Sequence, residues 1–280
     1  MKKKILVGIA IAFLVVLIVV GNIFYPAIQS MTHKEIVTID PDLTLMLGGG
    51  GNSGIITGDS AVVVIDTKMM GNSKDLYNLA KEKAGSKPII VINTHYHQDH
   101  VRGNKFFKGS RIYIGNYKRE FLEKNIEAEN QPTDIVKDSL LLDLGNEKVH
   151  LYNLGQAHTF NDLVVYLSGR KMLFTGDLIF NGVNPVLKEE SGAKVSQWIH
   201  VLDTILNRWG EGKIVPGHGK VGGKEMVVSM RQYFIDMTTA AMDPRKEDQL
   251  KEAYKDWMKL PTMSSPEKTI EYIKIHDLKK

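Results

Sequence analysis

The chain has 280 residues, 43% of them hydrophobic, which is the composition of a globular protein rather than a disordered or fibrous one. It contains no cysteine, so a disulfide framework, a thiolate metal ligand, a cysteine nucleophile and an acylated N-terminal cysteine are all excluded. The 36 basic residues, against 32 acidic, include Lys2, Lys3 and Lys4 ahead of an uncharged run; the rest of the chain is nearly neutral and lacks the basic surface that sequence-independent nucleic-acid binding needs.

From Ile5 to Val20 almost every residue is Ile, Leu, Val, Ala or Phe, and no Asp, Glu, Lys or Arg recurs before Lys34. With Gly21 to Tyr25 added, this run is long enough to cross a bilayer. The three lysines ahead of it favour a cytoplasmic N-terminus and an extracytoplasmic remainder, periplasmic or at the cell surface. Residues 1–25 are therefore expected to be a membrane anchor. A cleaved signal peptide is the alternative, but the stretch around Tyr25, Pro26 and Ala27 offers no convincing small-x-small site.

After a polar spacer, 26–37, strand patterns begin. Leu43 to Leu47, Ser53 to Thr57 and Ala61 to Asp66 are apolar or β-branched and are separated by glycines, as in a β-meander. Ser73 to Lys83 reads as a helix, and Pro88 to Asn93 as a buried strand. Further strands are expected at Arg111 to Gly115, Ser139 to Leu144, Lys148 to Leu154, Leu163 to Leu167, Lys171 to Thr175 and Lys213 to Pro216. Helices are expected at Asn116 to Glu129, Val195 to Trp209 and Gly223 to Met242, the last stopped by Pro244. Strands and helices interleave in two similar halves, which implies an α/β sandwich with helices outside two sheets. The main domain is expected over 38–242 and a helical tail over 243–280. In that tail Leu250, Tyr254 and Trp257 form one apolar stripe, and Ser265 before Pro266 reads as an N-cap.

The buried strand at Pro88 to Asn93 ends in Thr94-His95-Tyr96-His97-Gln98-Asp99-His100. In an extended segment alternate side chains share a face, so His95 and His97 can hold one metal ion while Asp99 and His100 reach a second. Three more phrases follow in order: Gly155-Gln156-Ala157-His158-Thr159, Phe174-Thr175-Gly176-Asp177 and Val215-Pro216-Gly217-His218-Gly219. Each comes after a strand-like run.

Together these four motifs resemble the metallo-β-lactamase superfamily. The resemblance implies an αββα sandwich holding two divalent ions, with zinc the first expectation and iron or manganese compatible with the same ligands. His95, His97 and His158 would hold the first ion, Asp99, His100 and His218 the second, and Asp177 would bridge them; Asp99 and Asp177 are the carboxylates expected in catalysis. The implied activity is hydrolysis of a small-molecule ester, lactone, thioester or amide by a metal-bridging hydroxide. Aspartate at 177 resembles the glyoxalase-like and quinoprotein-relay-type branch, whereas classical β-lactamases of the superfamily carry cysteine or a non-ligand there. A β-lactamase and a metal-dependent phosphodiesterase are the alternatives.

Other residues have plainer readings. Gly48 to Gly51 is a flap or a hairpin turn. Asn181, Asn184 and Pro185 form a substrate-facing loop or an ordinary polar turn. His200 reads as a surface or core-edge residue of a helix, with a substrate role as the alternative, and His33, His150 and His276 lie outside the motifs.

Overall fold

The computed structural model describes residues 32–259 and 263–278, together with Phe13, Gly21 and Tyr25. The expected anchor over 1–25 lies almost wholly outside the described residues, and among those no helix is long and apolar enough to cross a membrane.

A seven-stranded sheet runs in chain order: β1 (Lys34–Asp40), β2 (Leu43–Gly48), β3 (Ser53–Thr57), β4 (Val62–Ile65), β5 (Ile89–Ile92), β6 (Arg111–Ile114) and β7 (Asp134–Ile135). The first four strands pair antiparallel, whereas β4 to β7 pair parallel. Parallel pairing requires crossovers, and α1 (Met70–Ala84) supplies the one from β4 to β5. The short α2 (Gln98–Val101) and α3 (Arg119–Asn125) lie in the next two. The second sheet is a meander of β8 (Ser139–Asp143), β9 (Lys148–Asn153), β10 (Leu163–Leu167) and β11 (Met172–Phe174), and β12 (Lys213–Val215) pairs parallel to β11 after α4 (Val195–Trp209). The chain ends in α5 (Lys224–Met242), α6 (Glu247–Glu252) and α7 (Pro266–His276).

The layering follows from alternation along the strands. In β4, Val63 and Ile65 face the second sheet and pack with Val149, Leu151, Val165 and Phe174. Val62 and Val64 face the other way, onto Leu76 and Ala80 of α1. On the far side of the second sheet, Val164, Leu173 and Ile214 meet Trp198, Leu202, Met230 and Phe234 of α4 and α5. Helix, sheet, sheet, helix is the expected sandwich.

Two expectations change. Lys34–Asp40, partly read as spacer, is the edge strand β1, whose charged and β-branched residues show no clean alternation because both faces are largely open. The helix expected over Asn116 to Glu129 contracts to the seven residues of α3: the Asn125 side chain donates to the Phe121 carbonyl at 2.8 Å, and Ile126 turns extended. In the tail, Leu250, Tyr254 and Trp257 do pack on the core, and the Ser265 hydroxyl accepts from the Lys268 amide at 3.3 Å.

Candidate metal centre

The site lies where strands of both sheets end. β5 delivers His95 and His97, and α2 presents Asp99 and His100. His158 stands in the β9–β10 connection, Asp177 in the turn Gly176–Leu178 after β11, and His218 in the loop after β12. Two loops come so close that only glycine fits. A Cβ on Gly217 would fall 2.0 Å from Asp177 Oδ1, and one on Gly51 would fall 2.3 Å from the His100 ring.

All seven candidate ligands converge. They form two groups, His95, His97, His158 and Asp177 in one and Asp99, His100 and His218 in the other; within each group the ligand atoms lie within 4.8 Å of one another. In the first, His97 Nδ1 is 3.1 Å from His95 Nε2 and 3.0 Å from His158 Nε2. In the second, Asp99 Oδ2 is 3.2 Å from His218 Nε2 and 3.6 Å from His100 Nε2. Asp177 stands between them. Its Oδ2 is 3.4 Å from His158 Nε2 and 3.8 Å from His95 Nε2, and its Oδ1 is 3.1 Å from His100 Nε2 and 3.4 Å from His218 Nε2.

This donor set fits metal ions. Tetrahedral coordination with metal–nitrogen bonds of about 2.0–2.1 Å puts donors about 3.3 Å apart, close to the spacing here. Among the described residues, His100 Nε2 and Asp177 Oδ1 are buried without a hydrogen-bond partner and turned towards each other. Buried polar atoms left in this way are costly unless something else satisfies them.

The electrostatics differ between the groups. Burial holds His95 and His158 well below the ordinary imidazole value and brings His97 down to about 4. At His100 burial acts in the same direction, but Asp177, Asp66 and Asp99 outweigh it and hold the imidazole well above its ordinary value. Burial likewise opposes protonation of His218, yet Asp177 and Asp99 push it up to about 9. Burial would raise Asp177, but His218 and His100 hold it well below the usual carboxylate range.

Three supporting residues escaped the sequence reading. Asp66 accepts from the Thr94 amide and hydroxyl, each at 2.8 Å, and its Oδ2 lies 2.8 Å from His100 Nδ1. Ser191 Oγ accepts from the Tyr96 hydroxyl at 2.8 Å and lies 2.9 Å from His97 Nε2, leaving Nδ1 of that ring to face the centre. Lys68 is fully buried with φ of 64°. Its ammonium donates to the carbonyls of Met46, Gly48 and Gly51 at 2.6, 2.7 and 2.5 Å. Burial pulls that ammonium down to about 7, against Asp66 and Asp99, which favour its charge. Asp66 left one signal, a carboxylate directly after the apolar run Val62–Ile65 at the carboxyl end of a strand, where α/β sheets place ligands. Ser191, distant in sequence, left none.

The other candidates resolve more simply. Gly48, Gly49 and Gly50 all have positive φ, and the Lys68 ammonium pins their segment as a fixed turn. Asn184 is fully buried and donates to the carbonyls of Trp257 and Met258, each at 3.2 Å, while Asn181 donates to the Lys220 carbonyl at 2.9 Å. Both side chains are structural rather than substrate-facing. His200 is exposed on α4.

A family model described as the Metallo-beta-lactamase superfamily matches residues 46–219, which is most of the described chain and includes all seven residues. The chain belongs to the metallo-β-lactamase superfamily. A type 2 metallo-beta-lactamase from Bacillus cereus is 26% identical over 181 residues, covering 63% of this chain and 70% of that protein. A human acyl-coenzyme A thioesterase is 22% identical over 227 residues, covering 67% and 80%. Among solved structures, a metallo-beta-lactamase from Pontibacter korlensis superposes with a TM-score of 0.63 at 20% identity, over 71% of this chain and 99% of that one. That last likeness is one of fold. This superfamily member is a hydrolase with a His/Asp cluster of the metal-binding kind.

Proposed function

We propose that the chain is a dinuclear metal-dependent hydrolase acting on an acyl group: an ester, lactone, thioester or amide. The observation that carries this reading is the placement of Asp177, whose two carboxylate oxygens face different histidine groups at 3.1–3.8 Å. A carboxylate so placed would offer one ligand atom to each of two ions, with His95, His97 and His158 to hold the first and Asp99, His100 and His218 the second. Two divalent ions, zinc first among those this donor set accepts, would supply an activated water and polarise the substrate carbonyl.

The protein's own part is positional. Asp66 and Ser191 fix which ring nitrogen of His100 and His97 faces the centre, and Trp198, whose ring centroid lies 5.1 Å from that of His158, packs against a third imidazole. The site opens into a cleft of about 370 Å³ in which His97, Asp99, His158, Asp177 and His218 stand together.

The acyl class is supported by relatives named for cleaving a thioester and by others named as β-lactamases, since both reactions open an acyl–heteroatom bond. The β-lactamase relatives favour a second reading in which the acyl group is a strained cyclic amide. The nearly neutral body speaks against phosphodiesters of nucleic acid. Metal-loaded protein lacking residues 1–25, screened against a lactone, a thioester, a β-lactam and a phosphodiester, tests the assignment; turnover of the phosphodiester alone would overturn it. We also propose, from Lys2–Lys4 and the apolar run after them, that residues 1–25 tether the catalytic domain outside the cytoplasm. Fractionation should then find the full chain in membranes, released only by detergent.

A further inference from the structure

The cleft beside the metal centre has two kinds of wall. One is apolar and includes Phe180, Val183, Val186 and Met258. Met258 lies beyond residues 46–219, the span shared with the family, yet it is partly buried and packs against the core. Its amide donates to the Gly182 carbonyl at 2.9 Å, and its carbonyl accepts from the Asn184 amide at 2.9 Å, so that Val183 and Met258 form a β-bridge. Behind it, the Tyr233 hydroxyl donates to Asn184 Oδ1 at 3.2 Å, and Trp257 stacks on Tyr233 with ring centroids 5.0 Å apart. The second wall carries Lys188, half-buried in the same cleft as His97. The Lys188 carbonyl accepts from the amides of Ser191 and Ala193, each at 3.2 Å, which fixes its turn. Among the described residues its ammonium has no hydrogen-bond or ion-pair partner. Glu190 also reaches this cleft but is exposed, where water screens its charge.

An unpaired ammonium in a partly dry cleft gains most from an anion. A fixed apolar wall gains from covering by hydrocarbon, at about 25 cal/mol per Å². We propose that this cleft selects an acyl substrate with an apolar stretch lying against Met258, Val183 and Val186 and a carboxylate held by Lys188, so that the segment after the shared family core determines specificity. The inference rests on the acyl-cleavage reading above.

Three p-nitrophenyl esters separate its parts: the acetate, the octanoate, and the mono-ester of octanedioic acid, which matches the octanoate in length and adds a carboxylate. They are compared on the metal-loaded wild type and on Lys188→Ala, Lys188→Arg and Met258→Ala. Lys188→Ala is expected to lower the kcat/KM preference for the octanedioate ester over the octanoate about tenfold, through KM, as loss of one charge-assisted contact implies. Lys188→Arg should restore it. Met258→Ala should lower the preference for octanoate over acetate about tenfold, as loss of the apolar surface that the acyl chain covers implies. If all three esters are cleaved and every variant changes them in the same proportion, the specificity assignment is overturned while acyl cleavage stands. If the wild type cleaves none of them, the specificity assignment falls, and acyl cleavage itself is decided by the lactone, thioester and β-lactam of the screen above.

Discussion

Asp66 Oδ2 lies 2.8 Å from Nδ1 of His100, and that contact decides which nitrogen of the ring faces the centre. With Nδ1 donating to the carboxylate, Nε2 is the nitrogen turned towards the centre, 3.1 Å from Asp177 Oδ1. The same carboxylate oxygen accepts from the Thr94 hydroxyl at 2.8 Å, and Thr94 Oγ1 lies 3.1 Å from His95 Nδ1, so one buried residue orients ligands of both groups. Asp66→Asn removes the charge that holds this arrangement. Metal affinity and turnover should each fall about 10–100-fold, as measured by competition with a chelator and by steady-state kinetics. Unchanged affinity would show that Asp66 only serves folding.

The two groups should differ in how many protons they give up to metal. His97 at about 4, with His95 and His158 also depressed by burial, is neutral at pH 7 and has nothing to release. His218 at about 9 and the raised His100 are protonated there and must lose those protons before they can ligate. Affinity at the second group should therefore rise with pH up to about 9, while the first group stays flat above neutrality. Calorimetric titration of metal-free protein at pH 7, in buffers of different ionisation enthalpy, should show more protons released with the second equivalent than with the first. The reverse order would contradict this division of charge.

Lys68 offers a stability test away from the ligands. Lys68→Met keeps most of the volume but leaves the carbonyls of Met46, Gly48 and Gly51 without their donor. Unsatisfied buried acceptors cost about 1–3 kcal/mol each, so after allowance for the lost burden of a buried charge the fold should weaken by about 2–4 kcal/mol. Urea unfolding of the metal-free protein measures this, and a loss below about 1 kcal/mol would contradict it. The turn it holds also abuts the second group: a Cβ on Gly50 would lie 3.1 Å from the Asp99 Cβ, and Gly51 packs on His100. Metal binding there should loosen in the same variant.

Much of this was legible in the sequence because local pattern and tertiary role agree. The apolar runs of β4 and β5 and the amphipathic α4 lie at or within a residue or two of their expected bounds, since each is bounded by turn residues and buries the face its periodicity dictates. The four ligand phrases were readable because every one couples a strand end to histidine or aspartate. What escaped depends on distant partners. β1 is a strand only because β2 offers it an edge, with Ile36 opposite Met46. Ser191 matters only because the fold carries it 2.9 Å from a ring 94 positions earlier. Asn184 read as part of a substrate-facing loop or a polar turn, and its buried bond to Tyr233 has no local signature.

The central claim is that Asp177 joins two metal sites, and metal content per chain tests it most directly. Elemental analysis of purified wild type and Asp177→Ala, read beside turnover and melting temperature, separates coordination from folding. The wild type should carry about two ions, one for each group that Asp177 joins. In Asp177→Ala content should drop towards one. The ion held by the neutral imidazoles of His95, His97 and His158 should survive, because three histidines are a complete catalytic-type ligand set. Turnover should fall far more than the melting temperature. Retention of two ions with full turnover in Asp177→Ala would contradict the bridging assignment and the dinuclear hydrolase reading that rests on it.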